Sequence, residues 1–473
     1  MNRSNIEEVL PLAPLQEGLL FHAVAGGSDA YTVQLTVDLA GPLDAARLRS
    51  AAGALVERHA NLRTAFVAGP AGAVGVVLRR VEVPWTEAEP DGSPTGVRAL
   101  LDAERTPPFD MDEPPLIRFL LVRLGPDTHR LVITVHHILM DGWSVPLVLR
   151  DLFALYAGTP LPRLRPYRDY LAWLATRDRE ESLAAWRGVL DGVTEPTLLA
   201  PAAPGPQDGD EAPARPVRIP VALDPAVQER MKDLARKYGV TLSTVIQAAW
   251  AITLSGFTGR RDVAFGTTVS GRPPELAGVE SMVGLFINTI PVRIVLDPWE
   301  TVAGLLGRLH QTQAATLDHH HLGLAEVQAV TGLARLFDTL LVVESYPVDD
   351  TEIDRVRATI GVRVTGVATE DATHYPITLV ADPGEGLALE LEHRPELLAP
   401  QRAAEVGEAL GQVMAAMVAD PTVRPVGALA ATRTARLADP VGSDAAAGSG
   451  VSVLDVWDGL VAGGAEYLAV VCE

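Results

Sequence analysis

The chain has 473 residues, of which 48% are hydrophobic and 21% are charged. This length exceeds what a single compact core usually holds, so we expect at least two lobes. The net charge of −21 argues against nonspecific binding to nucleic acid or to anionic membranes, because both attract basic surfaces.

Two further features concern the compartment. No apolar run approaches the roughly 20 residues that cross a bilayer, and residues 1–4 lack the apolar core of a signal peptide. Cys472 is the only cysteine, which excludes an internal disulfide framework and a cysteine-rich zinc site. We therefore expect a cytoplasmic protein with no membrane or nucleic-acid partner.

The first half of the chain predicts two strands and a helix. Residues 116–124 and 129–137 are apolar, β-branched runs separated by a Gly-Pro-Asp-Thr turn, which favours a hairpin or an adjacent antiparallel pair. Residues 144–156 carry apolar side chains at helical spacing, and Gly158 supplies a stop.

The second half also mixes helices and strands. A helix is predicted from residue 224 to about 238, because Asp-Pro opens it and Gly239 follows it. The patterning predicts three more elements, a helix at 242–255 and buried strands at 263–268 and 287–295. This composition suits an open α/β sandwich in each lobe.

Two stretches rich in Pro, Ala, Gly and Asp resemble linkers, at residues 200–216 and 438–450. They divide the chain into three parts, an N-terminal lobe at 1–178, a C-terminal lobe at 179–435 that contains the first stretch, and a linker with tail at 436–473.

The most informative segment is His136-His137-Ile-Leu-Met-Asp141-Gly142-Trp-Ser. It lies where an apolar strand ends and a helix begins. If the strand persists, the two histidines point to opposite faces, so only one of them can enter a given cavity. A neutral imidazole there can accept or relay a proton, since its ordinary pKa is about 6.5.

The residues alone leave several interpretations open. A His-His pair at a strand end is more often packing than catalysis, and two histidines with an aspartate could bind a metal. The chain has no G-x-S-x-G elbow. A histidine without a covalent protein intermediate fits direct acyl transfer between two bound substrates, where positioning supplies much of the rate.

The segment resembles the HHxxxDG signature of nonribosomal peptide synthetase condensation domains, whose relatives include chloramphenicol acetyltransferase. Further segments resemble the family's other motifs in the family's order, and the resemblance covers about residues 9–430. These segments are residues 10–22, 58–66 (RHxxLRTxF), 167–173 (YxDYxxW), 266–272, 283–293, 319–328 and 336–347.

The resemblance implies an α/β fold of two chloramphenicol-acetyltransferase-like sandwich lobes, arranged as a V-shaped pseudodimer with a central tunnel. It implies an enzyme that forms an amide bond between a donor thioester and an acceptor amine. Donor and acceptor peptidyl carrier proteins would deliver both groups on phosphopantetheine arms. No cofactor bound covalently to this chain and no metal are expected.

The resemblance also implies roles for single residues. His137 is expected to act as a general base or to orient the acceptor amine, Asp141 to form an ion pair with Arg293, and Gly142 to keep the acceptor side open. The full set of motif residues assigned to the catalytic site is His137, His136, Asp141 and Gly142, with His136 expected to be mainly structural. Other expected supports are Trp143, Ser144 and Arg63, and the candidates for lining the tunnel are Gln16, Gly18, Asn288 and Ser345.

Two other regions need an interpretation. His319-His320-His321, with His310 nearby, suggests a metal site, but we favour a surface that faces solvent and the second substrate lobe. Residues 451–473 resemble the start of an adenylation domain, which would adjoin this chain, and they contain no GGxS carrier motif.

The alternatives are an epimerization domain, which shares the fold and both histidines, and a noncatalytic condensation-like module that recruits a partner. The adenylation-like tail favours condensation over epimerization, and the complete motif favours catalysis over recruitment. The opening motif and the segments at 321–324 and 337–347 favour a D-configured donor. The donor and acceptor amino acids cannot be read from the sequence.

Overall fold

A computed structural model of the chain describes residues 3–26, 31–69, 72–90, 93–200, 216–344, 361–384, 386–422 and 426. The expectations for Ser345, for the stretch at 201–215 and for the tail lie outside these residues. The strands are β1 Ile6–Leu10, β2 Thr32–Ala40, β3 Thr64–Gly69, β4 Gly72–Leu78, β5 Trp85–Ala88, β6 Ile117–Gly125, β7 Thr128–His136, β8 Val217–Pro220, β9 Asp262–Val269, β10 Asn288–Val295, β11 Thr339–Val343, β12 Arg363–Glu370, β13 Ile377–Asp382 and β14 Ala388–His393. The helices are α1 Pro14–Gly26, α2 Ala45–Arg58, α3 Pro94–Arg105, α4 Ser144–Ala157, α5 Arg168–Leu174, α6 Arg179–Leu190, α7 Pro225–Tyr238, α8 Leu242–Thr258, α9 Val302–Thr316, α10 Leu324–Ala329 and α11 Pro400–Ala419.

The strands form three sheets in the described part of the chain. The N-terminal half holds a five-stranded sheet in the order β12-β2-β7-β6-β5 and a small sheet in the order β1-β4-β3. The C-terminal half holds a six-stranded sheet in the order β10-β9-β11-β13-β14-β8.

The central strands of the N-terminal sheet are buried on both faces, which explains their continuous apolar sequence. On one face Leu131 and Ile133 of β7 join a core that includes Leu55 of α2 and Leu152 of α4. On the other face Val132 packs in a smaller cluster with residues of α3. The alternation along β7 therefore separates two layers of packing.

The C-terminal half has its own core. It is built by α7, α8, α9 and α11 against the six-stranded sheet, and α8 is buried along nearly its whole length. Each half thus has its own large hydrophobic cluster, as the chain length predicted. Val283, Leu285 and Val362 are exceptions, because they belong to the second half in sequence but pack in the N-terminal core.

The predicted elements are confirmed with shifts of up to three residues at their ends. The strands at 116–124 and 129–137 are β6 and β7, an antiparallel pair, and the helix at 144–156 is α4, with Gly158 in the left-handed region at φ 74°. The helix at 224–238 is α7, capped by Asp224, with Gly239 at φ 63°. The remaining three elements predicted for the second half are α8, β9 and β10.

One boundary was wrong in a way that matters for the site. The strand β7 ends at His136, and His137–Leu139 form a 3₁₀ turn. The turn is favoured because His136 Nδ1 accepts a hydrogen bond from Ile138 N at 3.1 Å. The strand-face argument therefore does not apply to His137.

The strand β12 crosses between the two halves of the chain. Its residues lie after the C-terminal sheet has begun, yet they pair antiparallel with β2, from Arg363 opposite Ala40 to Glu370 opposite Gln34. A division of the chain at one position therefore does not separate the two sheets.

No single helix in the described ranges is long and apolar enough to cross a membrane, although the bent pair formed by α7 and α8 meets the length and composition criteria together.

Candidate active site

The two histidines of the motif lie in different environments. His136 is fully buried, and its ring also contacts the ring of Phe109 edge-on, at a centroid distance of 6.4 Å. His137 is partly exposed. Its backbone N donates to Tyr31 O at 2.9 Å, and its Nδ1 has no hydrogen-bond partner among the residues described. Of the two imidazoles, that of His137 therefore has the exposed surface, although its Nδ1 is buried.

Two side-chain amides hold the turn that follows His137. Gln16 on α1 donates from Nε2 to Ile138 O at 3.0 Å, and its Oε1 accepts from Ala13 N at 2.9 Å. Asn61 donates to Leu139 O at 2.8 Å. Gln16 is only 4% exposed, and its place on the tunnel wall stays a prediction. Its contacts support the turn, a role that was predicted neither for Gln16 nor for Asn61.

Asp141 is the centre of a buried hydrogen-bond network. Its Oδ1 accepts from Ser144 N at 3.0 Å, from Ser144 Oγ at 2.7 Å and from Arg272 Nη2 at 3.0 Å. Its Oδ2 accepts from Phe286 N at 3.0 Å, and its own N donates to Gly284 O at 3.0 Å. Asp141 therefore joins the motif to residues of the second half of the chain.

The ion pair predicted between Asp141 and Arg293 is wrong. Arg293 makes a bidentate pair with Asp262, at 2.9 and 2.8 Å, because both lie on the neighbouring strands β10 and β9. The partner of Asp141 is Arg272, whose side chain is 4% exposed. Arg272 lies in the segment 266–272, which resembles one of the family's motifs, but no role was predicted for this residue.

Arg272 is enclosed on several sides. Its Nη1 donates to Val279 O and Met282 O, at 2.6 and 2.9 Å, and its guanidinium lies 3.9 Å from the ring centroid of Phe286. Burial lowers the pKa of Arg272, while the charge of Asp141 opposes that shift. A buried cation in this position depends on its anionic partner.

The residues that end the motif contact the same segment. Trp143 Nε1 donates to Glu280 O at 3.0 Å. Ser144, the first residue of α4, accepts at Oγ from Gly284 N at 3.1 Å, and the same oxygen lies 2.9 Å from Gly284 O. Both side chains therefore connect the two halves of the chain, beyond the local packing that was predicted. Gly142 is partly exposed, and its carbonyl accepts from Val145 N at 3.2 Å.

The remaining candidates lie around this centre. Arg63 is buried in the N-terminal half, where it donates to Val56 O at 3.2 Å and pairs with Glu7 at 2.9 Å. Gly18 is exposed on α1, with open space where a Cβ would lie. Asn288 is buried and donates from Nδ2 to the carbonyls of residues 320 and 322, at 2.8 and 2.7 Å.

The histidine run at 319–321 is partly exposed and also packs against α6, and its orientation toward the second substrate lobe stays a prediction. Ser182 Oγ lies 3.1 Å from His319 Nδ1 and 3.3 Å from His321 Nε2, and Trp186 Nε1 donates to His319 O at 3.1 Å. Burial, together with the neighbouring histidines, lowers the pKa of His320 to about 4. Across the described ranges there is no group of three or more His, Cys, Asp or Glu residues that could hold a metal ion.

Comparison with known proteins finds one matching family model and several similar synthases. A family model described as a condensation domain matches residues 6–433. A linear gramicidin synthase of Brevibacillus parabrevis is 36% identical over 420 residues, covering 84% of this chain and 8% of that protein. Surfactin synthase subunit 3 of Bacillus subtilis (strain 168) is 30% identical over 405 residues, covering 83% of this chain and 31% of that protein. The chain thus spans only a small part of these synthases.

Solved structures share the fold. The X-domain from teicoplanin biosynthesis has a TM-score of 0.75 at 21% identity and covers 89% of this chain and 97% of its own. The condensation domain of the monacolin K polyketide synthase MokA has a TM-score of 0.74 at 18% identity, with coverages of 89% and 100%. The first condensation domain of the calcium-dependent antibiotic synthetase, in complex with a substrate analogue, has a TM-score of 0.71 at 22% identity, with coverages of 89% and 99%.

These likenesses confirm the predicted class of two chloramphenicol-acetyltransferase-like α/β lobes. The family match spans most of the chain, and more than one synthase exceeds 30% identity over most of the chain. The chain therefore belongs to the condensation-domain family of nonribosomal peptide synthetases.

Proposed function

We propose that this chain joins a donor acyl or peptidyl thioester to the amine of an acceptor aminoacyl thioester, with both groups carried on phosphopantetheine arms of carrier proteins. Condensation domains of nonribosomal peptide synthetase modules form peptide bonds and act with carrier-protein domains. The acceptor nitrogen attacks the donor carbonyl carbon, the carbon–sulfur bond breaks, and the donor arm leaves as a thiol. The amine loses one proton overall.

The observation that carries this proposal is the partly exposed imidazole of His137, whose Nδ1 is buried without a partner in the described residues, so the proposal assigns the contact with the amine to the exposed part of the ring. Such a ring can take the proton of the attacking amine or accept its hydrogen bond and orient it. Positioned proton transfer contributes typically about 10²–10⁴-fold to a rate. In both roles His137 acts without a covalent protein intermediate.

The other motif residues serve this imidazole indirectly. Both carboxylate oxygens of Asp141 already accept hydrogen bonds, so its proposed role is to fix the loop and the contact between the two halves. His136 fixes the 3₁₀ turn through its Nδ1. Gly18 leaves open space beside α1 and Gly142 is partly exposed in the loop, which is compatible with the passage of a carrier arm.

The proposed partners are a donor and an acceptor peptidyl carrier protein and an adjoining adenylation domain, with the phosphopantetheine arms supplied by the carriers. The chain itself would bind no cofactor covalently. A cytoplasmic location and a D-configured donor are part of the same proposal, supported by the single cysteine and by the family motifs respectively.

A recruitment module remains the second candidate, because the X-domain from teicoplanin biosynthesis has the same fold and forms a complex with OxyB. That likeness is at 21% identity, so it carries the fold and not the function. The accessible His137 favours catalysis.

The test is an incubation of the chain with two loaded carrier proteins, followed by mass spectrometry of the acceptor carrier. Donors of both configurations are supplied in separate reactions. A dipeptidyl thioester on the acceptor supports condensation. Carrier binding without product supports recruitment, and inversion of a single loaded aminoacyl group without product supports epimerization.

A further inference from the structure

Four aromatic side chains from distant parts of the chain meet beside the active-site loop. This aromatic cluster consists of His22 on α1, Tyr31 before β2, and His374 and Tyr375 before β13. The rings of His22 and His374 stack at a centroid distance of 4.3 Å and an angle of 26°, and those of His374 and Tyr375 lie 4.1 Å apart. The Tyr31 hydroxyl and His374 Nδ1 are hydrogen-bonded. The mechanism above uses none of these side chains.

The cluster reaches the catalytic loop through one residue. Tyr31 O accepts the hydrogen bond from His137 N at 2.9 Å, and the next residue, Thr32, lies opposite His136 in the β2–β7 register. The side chain of Tyr31 is bound by His374, and its main chain binds His137. Two hydrogen bonds, both made by Tyr31, therefore connect the side chain of His374 to the backbone of His137.

The ionisation states of Tyr31 and His374 determine which of the two donates in their hydrogen bond. Burial lowers the pKa of His374 well below its usual value, and the positive charges of Arg394 and Arg335 act in the same direction. Burial also raises the pKa of Tyr31 above its usual range. His374 is therefore neutral and Tyr31 protonated, so the hydroxyl donates to Nδ1 and the imidazole proton resides on Nε2.

His22, whose ring stacks on that of His374, is also neutral. Burial lowers the pKa of His22, so the two stacked imidazoles are both neutral, and no repulsion between cations opposes their contact. His22 lies one helical turn after Gly18 on α1, and Gln16, which holds the turn after His137, belongs to the same helix. The helix, the aromatic cluster and the loop therefore form one connected group.

We propose that Tyr31 and His374 are positioning residues for condensation, because their hydrogen bond fixes the main chain to which His137 is anchored. This inference rests on the function proposed above. It differs from a simple contribution to stability, since it requires that loss of the bond moves the His137 ring away from the reacting amine. Misplacement of a reacting group by about 1 Å can lower a rate by roughly 10²-fold.

The experiment compares four variants with the wild-type chain in single-turnover reactions with loaded carriers. Tyr31→Phe removes the donor and His374→Leu removes the acceptor, and the third variant combines both changes. His374→Asn keeps an acceptor oxygen near the place of Nδ1. Tyr156→Phe is an additional matched control, because the Tyr156 hydroxyl accepts from Asp44 N at 3.0 Å in the N-terminal half, away from the loop.

We expect Tyr31→Phe and His374→Leu each to lower the single-turnover rate by about 10-fold at saturating carrier, with the KM for the acceptor carrier unchanged. The double variant should be no slower than the slower single variant, since both changes remove the same bond. His374→Asn should stay within about 3-fold of wild type, and Tyr156→Phe should lower Tm without changing the rate.

Wild-type rates in a folded Tyr31→Phe protein, or additive effects in the double variant, would overturn the inference. A second readout separates this failure from failure of the proposed function. The rate at which diethylpyrocarbonate modifies His137, followed by mass spectrometry of its peptide, should change in Tyr31→Phe and not in Tyr156→Phe. If the wild-type chain forms no product, the function fails, and the modification rate still decides whether Tyr31 positions His137.

Discussion

His136 and His137 are adjacent in sequence, yet the change from strand to 3₁₀ turn between them separates their environments. His136 satisfies its Nδ1 on the backbone of Ile138, as a fully buried polar group must. His137 keeps a ring nitrogen unpaired among the described residues while its backbone is tied to Tyr31. The chain thus fixes the position of this imidazole through its main chain and leaves the ring partly exposed.

Arg272, which pairs with Asp141, and Arg293, which pairs with Asp262, should contribute differently to stability. Arg272→Met leaves the buried carboxylate of Asp141 without its cation, which should lower the free energy of unfolding by about 3–5 kcal/mol. Arg293→Met breaks a pair whose aspartate is 33% exposed, so we expect a loss of only about 1 kcal/mol. Urea denaturation measures both values, and equal or reversed losses would contradict the assignment of Arg272 to Asp141.

The turn between β7 and α4 is held by several elements at once. α1 supplies Gln16, and the segment around Gly284 supplies main-chain groups on the other side. A Cβ on Gly284 would lie 2.4 Å from the ring of Tyr167. The sheet, the helix and this segment therefore have to keep fixed distances from one another.

Replacement of this glycine tests that constraint. Gly284→Ala should lower the free energy of unfolding by roughly 1–3 kcal/mol, because the buried Tyr167 ring has to move. Gly188→Ala is the control, since Gly188 is exposed inside α6 with nothing within 4 Å of a new Cβ. It should stabilise the chain by about 0.5–1 kcal/mol. Differential scanning calorimetry gives both values, and a neutral Gly284→Ala would contradict the close packing.

Glu392 on β14 should make the stability of the chain depend on pH. Burial first, and then the charge of Asp371, raise the pKa of Glu392 to about 7, although Arg218 acts in the opposite direction. The raised pKa means that the folded state binds this proton more tightly than the unfolded state. The stability gained from the protonated carboxyl is therefore complete below about pH 4.5 and is lost as the pH rises through about 7.

Glu392→Gln mimics the protonated carboxyl at every pH. The variant should match the wild-type chain near pH 4.5 and exceed it at pH 8 by roughly 1–3 kcal/mol in the free energy of unfolding. Denaturation at both pH values measures the difference, with Glu57→Gln, at an exposed carboxylate, as the control. A difference that does not change with pH would contradict the raised pKa.

Elements with a clear period or an explicit cap could be predicted from the sequence. The pair β6 and β7 follows from two apolar runs around a turn, and α7 follows from Asp224 at its start and Gly239 after its end. The end of β7 could not be predicted, because the hydrogen bond from Ile138 N to His136 Nδ1 competes with strand pairing and leaves no mark on the apolar pattern.

Contacts within the site were harder to predict than the site itself. The motif located the loop, but Asp141 and Arg272 are 131 residues apart, and neither periodicity nor spacing connects them. The same is true of Asn61 and Leu139, or of Tyr31 and His374. Such pairs are set by the packing of the two halves, which a single sequence does not encode in any local pattern.

At the scale of the whole molecule, several of the contacts between the two halves involve the loop or the N-terminal sheet. Val283 and Leu285 enter the N-terminal core, Asp141 binds residues of the second half, and β12 pairs with β2. The active-site loop therefore lies where the two halves are joined.

The most direct test of this account is a single-turnover reaction of the His137→Ala variant with two loaded carrier proteins. We expect the variant to keep the wild-type Tm and circular dichroism spectrum, because the ring is partly exposed and makes no hydrogen bond among the described residues. We expect the rate of dipeptidyl thioester formation to fall by about 10²-fold or more. Formation at the wild-type rate by the folded variant would contradict the account.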